Sequence, residues 1–170
     1  MKAIMVSEPG GPDVLRMAEA EIPEPGRGEA LIRVLTAGVG PWDAALRSGR
    51  FAPPTLPFIP GAEFCGGIVG DTGAEAAFED GEPVYGYPGP TGCYAEYVTC
   101  PLEQLAPVPA GLSVAEAGAV PVDLLTAEQG LTDVLDLGAD GVEEAPQRSR
   151  ALRARVVAVA LPRGVPGAAV

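Results

Sequence analysis

Histidine is absent from this 170-residue sequence, and Lys2 is its one lysine. The first absence removes the side chain most often used as a general base near neutrality and the commonest metal ligand, so acid–base work falls to carboxylates, tyrosines or cysteines. Basic residues are scarce, 11 against 23 acidic ones for a formal net charge of −12. That balance argues against nucleic acid or an anionic membrane surface as a partner. The three cysteines, Cys65, Cys93 and Cys100, are odd in number and lack C-x-x-C spacing. Neither a disulfide framework nor a zinc cluster is expected, and a reducing cytoplasm is the expected compartment. No stretch approaches the roughly 20 apolar residues of a membrane span, and Met1 to Pro9 lacks the apolar centre of a secretory leader.

What is present suits one compact domain: 47% apolar residues, with 23 glycines and 19 prolines that follow no collagen-like period. Short apolar or alternating runs recur between this punctuation, at Ala3 to Val6, Ala30 to Val34, Ile68 and Val69, Pro83 to Tyr87, Tyr94 to Val98 and Gln104 to Val108. Their spacing predicts a small antiparallel β domain. Asp43 to Arg47 reads as a short helix with Asp43 placed to cap it, and Ser113-Val114-Ala115-Glu116 has the form of a capping box. A longer helix is predicted from Pro121 to about Leu137, with Leu124, Leu131 and Leu135 on a face able to pack on the sheet and Gly138 as its stop. Residues 138 to 153 are polar and turn-rich, Ala154 to Leu161 reads as a closing strand, and the tail from Pro162 carries no element.

Several ordered motifs carry a resemblance. The opening Met1-Lys2-Ala3-Ile4, the run Gly10-Gly11-Pro12-Asp13-Val14-Leu15, and Ala37-Gly38-Val39-Gly40-Pro41-Trp42-Asp43 with Arg47-Ser48-Gly49 are followed by Leu56-Pro57-Phe58-Ile59-Pro60-Gly61, Gly92-Cys93-Tyr94-Ala95-Glu96-Tyr97 and Leu124-Leu125-Thr126-Ala127-Glu128-Gln129. Over residues 1 to 130 the chain resembles zinc-free quinone oxidoreductases of the medium-chain dehydrogenase/reductase superfamily. The resemblance implies a mainly β (α+β) fold, a GroES-like partly open β-barrel with a few short helices. Complete members insert a Rossmann domain that holds NADPH. After Val120 only 50 residues remain, whereas a single βαβ unit takes about 30, and no G-x-G-x-x-G occurs there. The expectation is therefore a single domain over residues 1–161 without a Rossmann domain: a barrel over 1–120, a helical linker over 121–153 and a closing strand over 154–161. Zinc-dependent relatives carry Cys at the position of Gly40 and Gly-His-Glu where Gly61-Ala62-Glu63 stands here, so no metal is expected. Zinc-free relatives usually carry Asn at the Gly40 position.

The resemblance places Asp43 on the cleft loop and Asp123 where the family is usually small and uncharged, which makes both candidate catalytic carboxylates able to act as general base. Each also has a plainer reading, as a cap or as a favourable charge at a helix N-terminus. Glu63, entering a strand after the Gly61 turn, is a third candidate or else an exposed strand-start acid. Trp42, Phe51, Tyr87 and Leu124 are candidate contacts for an apolar small-molecule substrate, whereas Tyr94 and Tyr97 alternate like sheet residues. Cys93 reads as a small packed side chain, with no activating partner nearby in sequence. The leading expectation is a cofactor-independent cyclase or isomerase of a polyketide-like enone or polyene in natural-product biosynthesis. The alternatives are an NADPH-dependent quinone or enone oxidoreductase remnant that borrows a nucleotide-binding domain, and a noncatalytic binding module. Either a homodimer or residues 121 to 161 are expected to cover the face that a nucleotide domain would otherwise bury.

Overall fold

A computed structural model describes residues 1–51, 55–70, 72 and 78–131, and the backbone of 158–160. Among the described residues, eight strands order themselves in two sheets. β1 (Lys2–Met5) and β2 (Arg16–Glu19) form an antiparallel pair. The larger sheet runs β6 (Tyr97–Pro101), β3 (Glu29–Gly38), β4 (Phe64–Val69), β5 (Pro83–Gly86), β7 (Leu105–Pro107), with β8 (Ala158–Ala160) added to the far end of β3. Every strand pairing among the described residues is antiparallel. The result is the expected partly open β-barrel with a few short helices.

β3 organises it, and its sequence explains why. Ala30, Ile32 and Val34 are buried while Arg33 and Leu35 face outward, the alternation of a sheet with one covered face. A register irregularity between Val34 and Thr36 then re-aims the strand. Its first half pairs with β6, and its last three residues, Thr36 to Gly38, pair with β8. The strand is thus longer at its C-terminal end than the expected Ala30 to Val34. The core lies between these strands and joins Ile32, Phe64, Ile68, Val84, Cys93 and Cys100.

Three helices sit at the ends of strands: α1 (Pro41–Arg47), α2 (Val114–Ala117) and α3 (Pro121–Gln129). α1 starts two residues before the expected Asp43 because Pro41, with its fixed φ and missing N–H, suits the first helical position. α2 has the capping box its sequence announces: Ser113 Oγ accepts from the Glu116 N–H at 3.3 Å, and Glu116 accepts from the Ser113 N–H at 2.9 Å. In α3 only Pro121 is fully buried. Leu124 is 51% exposed and Leu125 44%, which corrects the expectation that this helix lays an apolar face on the sheet. Its first turn is seated and the rest stands off, leaving a groove. The expected continuation to Leu137, the turn-rich 138–153, the start of the closing run at 154–157 and the tail from 162 lie outside the described residues.

Two further differences have local causes. β2 has no strand-like pattern of its own and exists through its ladder with β1, Lys2 opposite Glu19 through Met5 opposite Arg16. Tyr94 to Glu96, expected as the start of one strand run with Tyr97 and Val98, bridge the two sheets: the Ile4 N–H donates to the Tyr94 carbonyl at 2.8 Å and the Glu96 N–H to the Lys2 carbonyl at 3.1 Å, while the Val34 N–H of β3 donates to the Glu96 carbonyl at 2.9 Å.

Gly61 fixes the turn that leads into β4 and packs against Tyr94. Its φ of +94° is open to glycine, and a Cβ there would run into the Tyr94 ring and backbone. Gly61→Ala is expected to lower the free energy of unfolding by about 1–3 kcal/mol, read as a lower urea midpoint; an unchanged midpoint would contradict this packing.

Candidate functional site

Two carboxylates leave water where β3, α1, β4 and α3 converge. Asp43, in the first turn of α1, is 6% exposed and accepts three hydrogen bonds. The Gly40 N–H donates to it at 2.8 Å, the Gly61 N–H at 3.1 Å and the Tyr94 hydroxyl at 3.1 Å. Burial still raises its pKa above the ordinary aspartate value, against the pull of those donors. Asp43 does cap α1 as expected, but from the third helical position, and it also ties the helix to the Gly61 turn. Tyr94 was not legible as its partner, since the two lie 51 residues apart. Burial and then the neighbouring Asp43 charge push the Tyr94 phenol upward, so it stays a donor.

Glu63 is 2% exposed, not an exposed strand-start acid. Its Oε2 accepts from the Val122 N–H at 2.8 Å, in the first turn of α3. The carboxylate fills the space that any side chain at Gly38 would need, and the Gly38 N–H donates to the Glu63 carbonyl at 3.2 Å. Burial is the main reason its pKa rises to about 7; the Val122 amide opposes the shift, while the charges of Asp123 and Asp43 add to it. Asp123 itself is exposed at the third position of α3, where a negative charge meets the positive end of the helix dipole.

Trp42 and Phe51 do not join these groups. The Trp42 indole covers Gly40, taking the room of a side chain there, and its Nε1–H is buried without a partner. Phe51 follows α1 and is 58% exposed. Tyr87 and Leu124, by contrast, meet across a groove of about 800 Å³ between β5, β7 and α3, together with Tyr85, Leu105, Val122 and Leu125. Tyr85 went unnoticed in the sequence, although its i, i+2 spacing to Tyr87 is the signal that places both on one face of an extended segment. Glu103 and Glu128 also line the groove, and among the described residues no Lys or Arg does, so a neutral ligand fits this lining better than an anion. Val122 joins the two regions: it lines the groove, and its N–H is held by Glu63.

The thiols are held in their protonated, unreactive form by burial. All three are buried, as expected for Cys93. Burial pushes Cys65 up to about 11 and Cys100 up to about 12, and raises Cys93 as well. Among the described residues no group of three or more Cys, Asp or Glu is arranged to hold a metal ion, and no helix is long and apolar enough to cross a membrane.

Two outcomes follow from these environments. Because Glu63 binds its proton more tightly folded than unfolded, its contribution to stability is present below about 4.5 and is lost as pH rises toward about 7. Glu63→Gln is expected to flatten that part of a stability-versus-pH curve, by up to about 3 kcal/mol; an unaltered slope would contradict the assignment. With a chromogenic disulfide reagent at pH 8, the native protein is expected to show almost no reactive thiol and the urea-unfolded protein all three; rapid native labelling would contradict the burial.

The profile of the alcohol dehydrogenase GroES-like domain matches residues 26–110. Among curated proteins, the quinone oxidoreductase of Mus musculus is 33% identical over 133 residues, covering 77% of this chain and 40% of the relative. The quinone oxidoreductase of Coxiella burnetii superposes with a TM-score of 0.72 at 30% identity, over 78% of this chain and 44% of that one. A mycobacterial protein solved in complex with NADPH gives a TM-score of 0.70 at 38% identity, over 79% of this chain and 42% of that one. The chain thus spans about 40% of the length of the curated relatives it matches. With the antiparallel half-barrel and its cleft motifs in place, the chain belongs to the alcohol dehydrogenase GroES-like domain family, on the quinone oxidoreductase branch of the medium-chain dehydrogenase/reductase superfamily.

Proposed function

We propose that this chain is the substrate-holding half of an NADPH-dependent oxidoreductase of quinones or enones. The observation that carries the reading is the 33% identity over 133 residues to a quinone oxidoreductase. Relatives that are oxidoreductases favour this alternative over the cofactor-independent cyclase or isomerase and over a noncatalytic module.

A dinucleotide pyrophosphate seeks free backbone N–H groups at a helix N-terminus fed by a parallel strand. The described residues do not fit that need. Their strand pairs are antiparallel, and at α3 the Val122 N–H already serves Glu63, whose ionised form would repel a phosphate. The dinucleotide therefore belongs to a nucleotide-binding unit other than this β domain.

The groove suits the organic substrate. Its 800 Å³ lies within the usual range for a small-molecule site. Tyr85 and Tyr87 offer ring faces to a planar conjugated ligand and phenol donors to a carbonyl oxygen, and Leu124 and Leu125 supply the opposing apolar wall. Asp43 and Tyr94 bond to each other and to the backbone, so their part is to hold α1 and the Gly61 turn in place.

By calorimetry, 1,4-naphthoquinone is expected to bind the full chain saturably, NADPH is not, and Tyr87→Ala is expected to weaken the quinone by about tenfold, near 1.4 kcal/mol. Saturable NADPH binding by the chain alone, or no quinone binding up to its solubility, would overturn the proposal.

A further inference from the structure

Glu63 is a costly residue to bury, and its surroundings explain what the cost achieves. A carboxylate out of water needs a donor, and among the described residues the one hydrogen bond its side chain makes is from the first turn of α3, the Val122 N–H at 2.8 Å. The helix has little else to seat it: Pro121 is its one fully buried residue, while Leu124 and Leu125 stand exposed. The opposite side of the carboxylate is walled by Gly38, where a side chain of any size would displace it. Gly38 in turn is paired with Ala158 of β8. Glu63 thus sits where the chain leaves the barrel through α3 and where β8 rejoins it. The same α3 carries Val122, Leu124 and Leu125, one wall of the groove.

We propose that Glu63 is a positioning residue: its buried carboxyl group anchors the first turn of α3 and so sets the Leu124 and Leu125 wall against Tyr85 and Tyr87. The inference rests on the reading of that groove as the quinone site. Glu63 touches no substrate in this arrangement; it acts through Val122.

Hydrogen–deuterium exchange of the full chain tests the anchor without any ligand, and calorimetry with 1,4-naphthoquinone tests its consequence. Glu63→Ala is expected to speed exchange of the amides at 122–126 tenfold or more, with β3 and β4 unchanged, and to weaken naphthoquinone at least fivefold. Glu63→Gln keeps an acceptor for the Val122 N–H and is expected to restore both to within about twofold of the parent. If Glu63→Ala does not fold, Glu63→Asp, which draws the carboxyl back by one methylene, is expected to speed α3 exchange in the same place. Unchanged α3 exchange overturns the inference whatever the ligand does. Faster exchange with unchanged quinone affinity overturns it if Tyr87→Ala weakens binding. If Tyr87→Ala also leaves binding unchanged, it is the groove reading that falls, and the anchor itself stands.

Discussion

A carboxyl group buried beneath a helix terminus is the constraint on which the arrangement turns. Glu63 gives up solvent and receives one backbone donor from α3, and the neighbouring charges of Asp43 and Asp123 make its ionised form dearer still. Such a group tolerates little slack: its remaining space is bounded by Gly38, which must lack a side chain, while Glu63 itself is held at the entrance of β4. Asp43 repeats the logic one element away, with three donors from α1, the Gly61 turn and Tyr94. Together the two acids join helices to a sheet that would otherwise meet them through few apolar contacts.

The consequence is a division of labour between a polar junction and an apolar groove. The junction residues are occupied with one another and with the backbone, while the groove presents rings and leucines to solvent. Val122 belongs to both. The net charge of −12 and the Glu103 and Glu128 carboxyl groups in the groove lining make this side of the molecule electrostatically unfavourable to anions. The same acidity disfavours an anion at the first turn of α3, where the Val122 N–H already serves Glu63.

Much of the fold was legible because it is local or periodic. Alternation marked the centres of β1, β3, β5 and β7, and the Ser113 to Glu116 spacing placed α2. Their limits were less legible, since the end of β3 depends on pairing with β8 more than 100 residues away, and β2 depends wholly on β1. The site divided in the same way. Tyr87 and Leu124, expected as substrate contacts, both line the groove, and Tyr85 was available from strand periodicity. Trp42 and Phe51 flank the cleft loop in sequence, but one turns onto Gly40 and the other stays in solvent. No local pattern told that Glu63 would be buried or that Tyr94 would bond Asp43, because both outcomes are set by contacts across more than 50 residues.

Nuclear magnetic resonance of the Glu63 side-chain carboxyl carbon, followed with the Val122 amide proton through a pH titration of one labelled sample, addresses the junction at its atoms. The account predicts that both signals move together with a midpoint near 7, as expected for a buried acid bonded to that amide. A carboxyl that titrates near the ordinary glutamate value while the Val122 amide stays indifferent would contradict it.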